Sequence, residues 1–293
     1  MVKKMKYAFF LGCLIPAREL SYEVSVRKVL PELGVELVDM KGANCCAPFS
    51  IQSVDHASWL ALSARNLCIA EEMGLDIMTL CNDCYESLLM VNILLKENPE
   101  LRDQVNQILS EVGKEYKGKV DVKNLVDVLY RDVGVSKVKS AVKEPFSGLK
   151  VGTQPGCHLT KPKRIHFELL SGFNELDELV QATGVESVPY ERKEMCCGGP
   201  LRDINDDVAR QVSRQKLIAL RDAGVQGVVT VCPFCFLQLD LGQLEIKRHF
   251  NEEYNLPVIH FIELLRLGMG MKLEDWEVKA HRIPITNLFK GRL

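Results

Sequence analysis

An excess of charge of one sign is missing from this sequence. Its 37 lysines and arginines are matched by 39 aspartates and glutamates, for a net charge of −2. Without a basic surplus there is no electrostatic footprint for a phosphate backbone, which argues against nucleic-acid binding. Long apolar runs are missing too. The longest uncharged stretch, Ala223 to Leu239, has seventeen residues and includes Gly, Gln, Thr and Pro. That is short and polar for a membrane-spanning helix and reads as a buried strand entering a loop. No G-x-G-x-x-G follows a strand, and there is no P-loop and no C-x-x-C-x-x-C run. Gly268-Met269-Gly270 is too short a match to count. No flavin or nicotinamide site is therefore evident, and any redox chemistry must draw electrons from a partner protein. Aromatic residues are scarce at 7%, whereas 47% hydrophobic and 26% charged residues exclude a disordered chain.

The abundant residue is cysteine, with eleven copies. The chain is too long to need disulfide staples. Without Cys68, the other ten fall into two sets: Cys13, Cys45-Cys46, Cys81-x-x-Cys84, and Cys157, Cys196-Cys197, Cys232-x-x-Cys235. Four pairs share one offset, since 196 − 45, 197 − 46, 232 − 81 and 235 − 84 all equal 151. The leading pair differs by 144, so the second copy carries seven extra residues before its double cysteine. In each copy 34 residues separate the double cysteine from the C-x-x-C. Flanking segments repeat as well: Leu11-Gly12-Cys13 matches Pro155-Gly156-Cys157, and Gly34-Val35-Glu36 matches Gly184-Val185-Glu186. Val122 to Leu129 resembles Val258 to Leu265. The chain is an internal duplication, with domains expected over residues 1–146 and 147–293 and a charged linker at 137–145.

The N-terminus imitates a secretion signal with a lipid-bearing cysteine, because Lys3, Lys4 and Lys6 precede Tyr7 to Leu11 and then Gly12-Cys13. The apolar stretch is shorter than the roughly 7–15 residues such a signal needs. Cys13 also has a counterpart in Cys157, so it belongs to the folded unit. A cytoplasmic location, where thiols stay reduced, is expected.

Short apolar runs alternate with amphipathic stretches, which predicts an α/β fold of two Rossmann-like βα domains, each with a parallel sheet. Strands are expected near 6–11, 35–40 and 76–80, and near 149–153, 186–190 and 226–231. Helices are expected near 18–32, 56–73 and 85–96, and near 163–182, 205–222 and 236–249, with a fourth strand and helix over 257–267. Ser53 and Asp55 are candidate N-caps of the second helix and Gly74 its C-cap. Each cysteine group follows a strand, so three loops deliver five sulfurs to the C-terminal strand edge of each sheet. Helix N-termini there favour thiolates and anionic clusters. Five thiols exceed the four of a tetrahedral zinc or an ordinary cubane, and disulfides would leave one over. Soft thiolates without histidine at ligand spacing favour an iron–sulfur cluster of unusual ligation in each half. Structural zinc is the alternative, and metal analysis of anaerobically purified protein separates the two. Cys68 reads as a small core residue, and His260, in an apolar run, as a satisfied core histidine.

Two C…C-C…C-x-x-C modules resemble the cysteine-rich CCG domain family, and two of them filling a chain of this length resemble the B subunits of heterodisulfide reductase. The likeness rests on Tyr7 to Cys13, Val128 to Gly134, Cys196-Cys197-Gly198-Gly199-Pro200 and Pro257 to His260. One departure exists: the first copy reads Cys45-Cys46-Ala47-Pro48, with alanine where the signature has glycine. That changes loop flexibility but no ligand.

The resemblance implies two noncubane [4Fe-4S] clusters, one per domain, held by Cys13, Cys45, Cys46, Cys81 and Cys84 and by Cys157, Cys196, Cys197, Cys232 and Cys235. It implies reduction of the coenzyme M–coenzyme B mixed disulfide between them, in methanogenesis. Partners would be the other two heterodisulfide reductase chains, one ferredoxin-like and one flavin-containing and electron-bifurcating, and a hydrogenase or formate dehydrogenase. His158, beside Cys157, is the candidate proton donor. Lys161, Lys163, Arg164, Lys193 and Arg202 are candidates for holding the anionic substrate, against only Arg18 and Lys41 in the first copy, so anion binding should favour the second half. The alternative is a CCG electron-transfer subunit of a lactate, glycolate or glycerol-3-phosphate oxidising complex, or of a thiol–fumarate reductase.

Overall fold

The computed structural model describes residues 5–160, 173–202 and 204–293. The first half runs β1 (Met5–Phe10), α1 (Leu14–Arg18), α2 (Leu20–Glu32), β2 (Val35–Asp39), α3 (Phe49–Gln52), α4 (His56–Met73), β3 (Ile77–Thr79), α5 (Asn82–Glu97), α6 (Pro99–Ser110) and β4 (Val122–Asn124). It continues through α7 (Leu125–Asp127), a π-helical turn (Val128–Gly134) and α8 (Val135–Ala141). The second half contains β5 (Lys150–Gln154), α9 (Cys157–Thr160), α10 (Glu175–Ala182), β6 (Glu186–Ser187) and a 3₁₀ turn (Gly199–Leu201). It is completed by α11 (Asp206–Asp222), β7 (Gly227–Thr230), α12 (Pro233–Phe250), β8 (Val258–His260), α13 (Phe261–Gly268), α14 (Asp275–Lys279) and a last 3₁₀ turn (Ile285–Asn287).

Both sheets are parallel with the same strand order, β2-β1-β3-β4 and β6-β5-β7-β8. The expected α/β duplication is therefore present. In this order the winding reverses between β1 and β3, and between β5 and β7, and a crevice opens at the carboxyl ends there. Phe10 pairs with Thr79 and Gln154 with Thr230 at those ends.

Local chemistry explains the element ends. Asp55 caps α4 by accepting from the Ser58 backbone at 3.0 Å, and Gly74 closes it with φ of 64°. Ser53 instead lies at the C-terminus of α3, so it is no cap of α4. The caps also refine the repeat. Asn205 caps α11 as Asp55 caps α4, and 205 − 55 is 150. The cysteine groups are 151 apart on both sides of these helices. Compensating one-residue shifts in the two loops hide under the equal cysteine spacing.

Three further boundaries differ from expectation. Part of the charged stretch at 137–145 is helical, because α8 extends to Ala141, and Lys143 and Glu144 then donate backbone bonds to the Gly268 carbonyl. Of the helix expected over 163–182, residues 163–172 lie outside the described residues and the remainder begins at Glu175. The C-x-x-C segments open helices directly, with Cys81 and Cys232 as N-caps of α5 and α12.

The halves share one core. Its largest buried cluster contains Phe9, Tyr22 and Leu80 together with Val231, Phe261 and Leu264. Helix α13 packs on α2. Tyr22, fully buried, donates towards the Leu80 carbonyl at 3.4 Å and the Val231 carbonyl at 3.1 Å. Those residues are repeat equivalents (231 − 80 is 151), each preceding a C-x-x-C. Tyr22 thus sits where the two copies meet. His260 stacks on it at 3.7 Å and on Phe236 at 4.5 Å, and its Nε2 lies 2.7 Å from Glu19, so it is a core histidine. Cys68 is buried in the same core, where burial pushes its thiol up to about 12. Among the described residues no helix is long and apolar enough to cross a membrane.

Candidate metal centre and substrate cleft

The sulfurs gather where the strands end. Cys13 follows β1 and Cys157 follows β5; the double cysteines follow β2 and β6; the C-x-x-C pairs open α5 and α12. Neighbouring thiols interact in file: Cys45 with Cys46, Cys46 with Cys84, Cys84 with Cys81, Cys81 with Cys232, Cys232 with Cys235, Cys235 with Cys197, Cys197 with Cys196, and Cys196 with Cys157. Cys46 and Cys84 are 3.3 Å apart. Cys13 stands apart from this file, exposed at the rim. The contact between Cys81 and Cys232 joins the two sets across the seam.

Proton sharing polarises the file. Cys46 is held well below the usual thiol range by hydrogen bonds from Cys45 and then Cys84. Bonds from Cys157 and Cys197 take Cys196 down to about 2, and those from Cys235 and Cys81 hold Cys232 low. The donating thiols are pushed up in turn. Soft anionic sulfurs at helix N-termini fit a metal–sulfur group. Among the described residues no three His, Cys, Asp or Glu side chains are arranged to hold a single metal ion. Nine sulfurs in a file offer what an extended multi-iron group needs, more than the four ligands one tetrahedral ion takes.

Polar side chains brace the loops that carry the double cysteines. Ser63 donates to the Cys46 carbonyl at 2.5 Å and its equivalent Ser213 to the Cys197 carbonyl at 2.8 Å. Asn66 and Lys216, also 150 apart, reach the segment before each pair: Asn66 donates to the Asn44 carbonyl at 3.1 Å, and Lys216 to the Arg192 carbonyl at 2.6 Å. At the seam, buried Asn82 accepts from Asn124 at 3.0 Å and donates to the Pro155 carbonyl at 2.6 Å. Asn82 lies inside the first C-x-x-C, a position the cysteine spacing passes over.

Above the file is a cleft of about 660 Å³ between the halves. The first half lines it with Leu14, Arg18, Pro48, Phe49, Ser50 and Asp83, and the second with His158, Pro200, Arg202, Ile204, Phe234 and Leu241, among others. Its walls are largely apolar, with a few convergent polar groups. A narrower cavity continues beneath it, sharing Asp83, His158, Pro200 and Phe234 and reaching Cys157, Cys197, Cys232 and Cys235. Cys13 and Cys45 open instead into a separate groove of about 510 Å³.

His158 stands between cleft and sulfurs. Its Nδ1 pairs with Glu86 and lies 3.8 Å from Asp83, so carboxylates of the first half hold a histidine of the second. Burial raises Asp83 to about 6. Both acids belong to the first turns of α5 and carry no spacing signal that singles them out. Of the basic candidates, Arg202 lines the cleft but is bound by Gln238 at 2.9 Å and by Glu245. Lys193 is held by Asp177 and the Phe173 carbonyl and is not among the cleft residues. Lys161, Lys163 and Arg164 lie outside the described residues. Arg18, from the first half, is exposed on the cleft wall.

Comparison with known proteins agrees with this architecture. The Cysteine-rich domain (CCG) profile matches residues 7–88 and again 151–240. The chain is 41% identical over 285 residues to the B subunit of the ferredoxin/F(420)H(2)-dependent CoB-CoM heterodisulfide reductase of Methanosarcina acetivorans, covering 95% of this chain and 94% of that one. It is 30% identical to the membrane anchor subunit of the 8-methylmenaquinol:fumarate reductase of Wolinella succinogenes, over 97% and 99% of the two chains. A hypothetical protein of Helicobacter pylori shares the fold, with a TM-score of 0.77 at 16% identity over 97% of this chain and 54% of that chain. Two repeated sulfur nests on two sheets of the same strand order, and relatives alike over more than nine-tenths of the chain, place this chain in the cysteine-rich CCG domain family, among the heterodisulfide reductase B subunits.

Proposed function

We propose that this chain is the catalytic subunit of a heterodisulfide reductase, reducing the mixed disulfide of coenzyme M and coenzyme B at two noncubane [4Fe-4S] clusters. The ten paired cysteines hold them, five per half. The observation that carries the reading is the thiol file crossing the seam at Cys81 and Cys232, directly under a cleft lined by both halves. When bound, the clusters supply the two electrons that break the S–S bond, and two protons complete the two thiols.

The chain's own residues bind, orient and protonate. The apolar walls at Leu14, Phe49, Ile204 and Phe234 exclude water from the disulfide. His158, at the throat between cleft and sulfurs, delivers a proton to a departing sulfur, with Glu86 fixing its ring. Replacing His158 with Gln is expected to lower turnover roughly a hundredfold, the effect of losing one positioned general acid, with iron content unchanged. An unaltered rate would remove it from the mechanism.

The cleft also revises the expected second-half bias in anion binding. Arg202 is offset by Glu245 and Lys193 by Asp177, whereas Arg18 faces the cleft without a carboxylate partner among the described residues. Arg18 anchors an anionic end of the substrate. Arg18→Ala is expected to raise KM about tenfold with kcat little changed, the cost of one charge-assisted hydrogen bond; an effect on kcat alone would contradict that role.

The electron donors proposed are the ferredoxin-like and the flavin-containing chains of the reductase, fed by a hydrogenase or formate dehydrogenase in the cytoplasm. The second reading is an electron-transfer subunit of a thiol–fumarate reductase or of a lactate, glycolate or glycerol-3-phosphate oxidising complex, which the 30% identical relative, a membrane anchor subunit by name, fits less well. Iron and sulfide counts with a steady-state assay on an artificial electron donor decide. Heterodisulfide reduction by the loaded chain supports the first reading. Iron-loaded protein that passes electrons but leaves the heterodisulfide intact supports the second.

A further inference from the structure

The two sulfur nests are equivalent by repeat, yet three positions around them are not. At the end of the first strand of each sheet, Gln154 donates its amide to Cys235 Sγ at 3.7 Å, where the first half has apolar Phe10. After the double cysteine, the Gly199 backbone N–H donates to Cys197 Sγ at 3.4 Å. Its equivalent is Pro48 (199 − 48 is 151), which has no N–H to give. On the helix behind, Lys216 stands where the first half has Asn66.

Lys216 is 1% exposed. Its ammonium donates to the Arg192 and Lys193 carbonyls at 2.6 and 3.1 Å. Burial brings Lys216 down to about 8, and the sulfurs of Cys235, Cys197, Cys196 and Cys157, all of the second nest, act against that fall. A buried cation whose countercharge is sulfur stabilises added negative charge on that nest, because the interior screens it weakly. Hydrogen bonds to sulfur act in the same direction.

We infer that the two halves are electrically unequal, and that Lys216, Gln154 and the Gly199 N–H make the second-half cluster the first to be reduced. The inference rests on the proposed cluster binding. In this step one electron from a one-electron iron–sulfur or flavin donor protein is taken up by the second-half centre, with no bond made or broken. Exposure of Cys13 and Cys45 opposes the difference, since water also stabilises charge. It reaches only the rim of the first nest, where Cys46, Cys81 and Cys84 stay buried. Lys216 acts here as a positioning residue for charge and touches no substrate.

The test is an EPR-monitored redox titration of the whole iron-loaded chain. Wild-type protein is expected to show two separated transitions. Lys216→Met should shift the upper one to lower potential and leave the lower one in place, and Lys216→Arg should restore it. Gln154→Leu should move the same transition by less, and carries the test if Lys216→Met does not fold. Transitions that stay put in loaded variants, or a shift confined to the lower one, overturn the inference alone. A chain that holds no iron overturns the proposed function and this inference with it.

Discussion

Cys197→Ser is expected to strip iron from the second half, leave the first half loaded, and abolish heterodisulfide reduction. Cys197 is buried and links the file at two points, between Cys196 and Cys235. Its sulfur also receives the Gly199 N–H. A serine hydroxyl is harder, and far less acidic than a thiol, so it replaces neither the soft ligand nor its charge. The first nest has its own sulfurs and its own bracing through Ser63 and Asn66, so it should still assemble. Iron and acid-labile sulfide per chain, measured alongside the assay, should fall by about half. Full iron content with full activity would falsify the ligand assignment; loss of all iron would show that the nests assemble only together.

The second large effect is structural. Gly198→Ala is expected to destabilise the fold by about 3–4 kcal/mol, summing the cost of a left-handed residue and of overpacking. Gly198 has φ of 93°, and an added Cβ would meet the Ala209 carbonyl oxygen at 2.6 Å and Ser213 Oγ at 3.1 Å. Ser213 holds the Cys197 carbonyl, so the clash is transmitted to the sulfur loop. Ala47, the first-half equivalent, already adopts φ of 55°. It carries this strain where the family signature has glycine. Ala47→Gly should therefore change stability by no more than about 1 kcal/mol, because relief of strain is offset by greater freedom of the unfolded chain. Chemical denaturation of both variants checks the contrast. Equal, small effects at the two positions would show that the loop relaxes around the methyl.

These two sites illustrate what each level of description contains. The glycine of the Cys-Cys-Gly signature is visible as a letter, and its replacement by Ala47 reads as a change in flexibility. The positive φ and the approach of Ala209 make it a question of strain instead. Lys193 and Arg202 illustrate the same gap for charge. Nearness in sequence to the cysteines suggests substrate contacts, but Asp177 and Glu245, respectively 16 residues before Lys193 and 43 after Arg202, neutralise them. Nothing in local composition announces such partners, because ion pairing depends on which helices pack together.

What the amino-acid sequence determined on its own is everything periodic. Equal cysteine offsets declared the duplication, and apolar runs alternating with amphipathic ones declared parallel βα units with sulfur loops at one sheet edge, because strand and helix periods are local properties of the chain. What tertiary structure alone decided is how one copy meets the other. Tyr22 bridging the Leu80 and Val231 carbonyls, Asn82 reaching the Pro155 carbonyl, Glu86 holding His158 and Cys81 touching Cys232 all bring together groups from different halves. Their partners lie dozens to hundreds of residues apart, and only the packing of two folded sheets brings them within the few ångströms over which hydrogen bonds and sulfur contacts act.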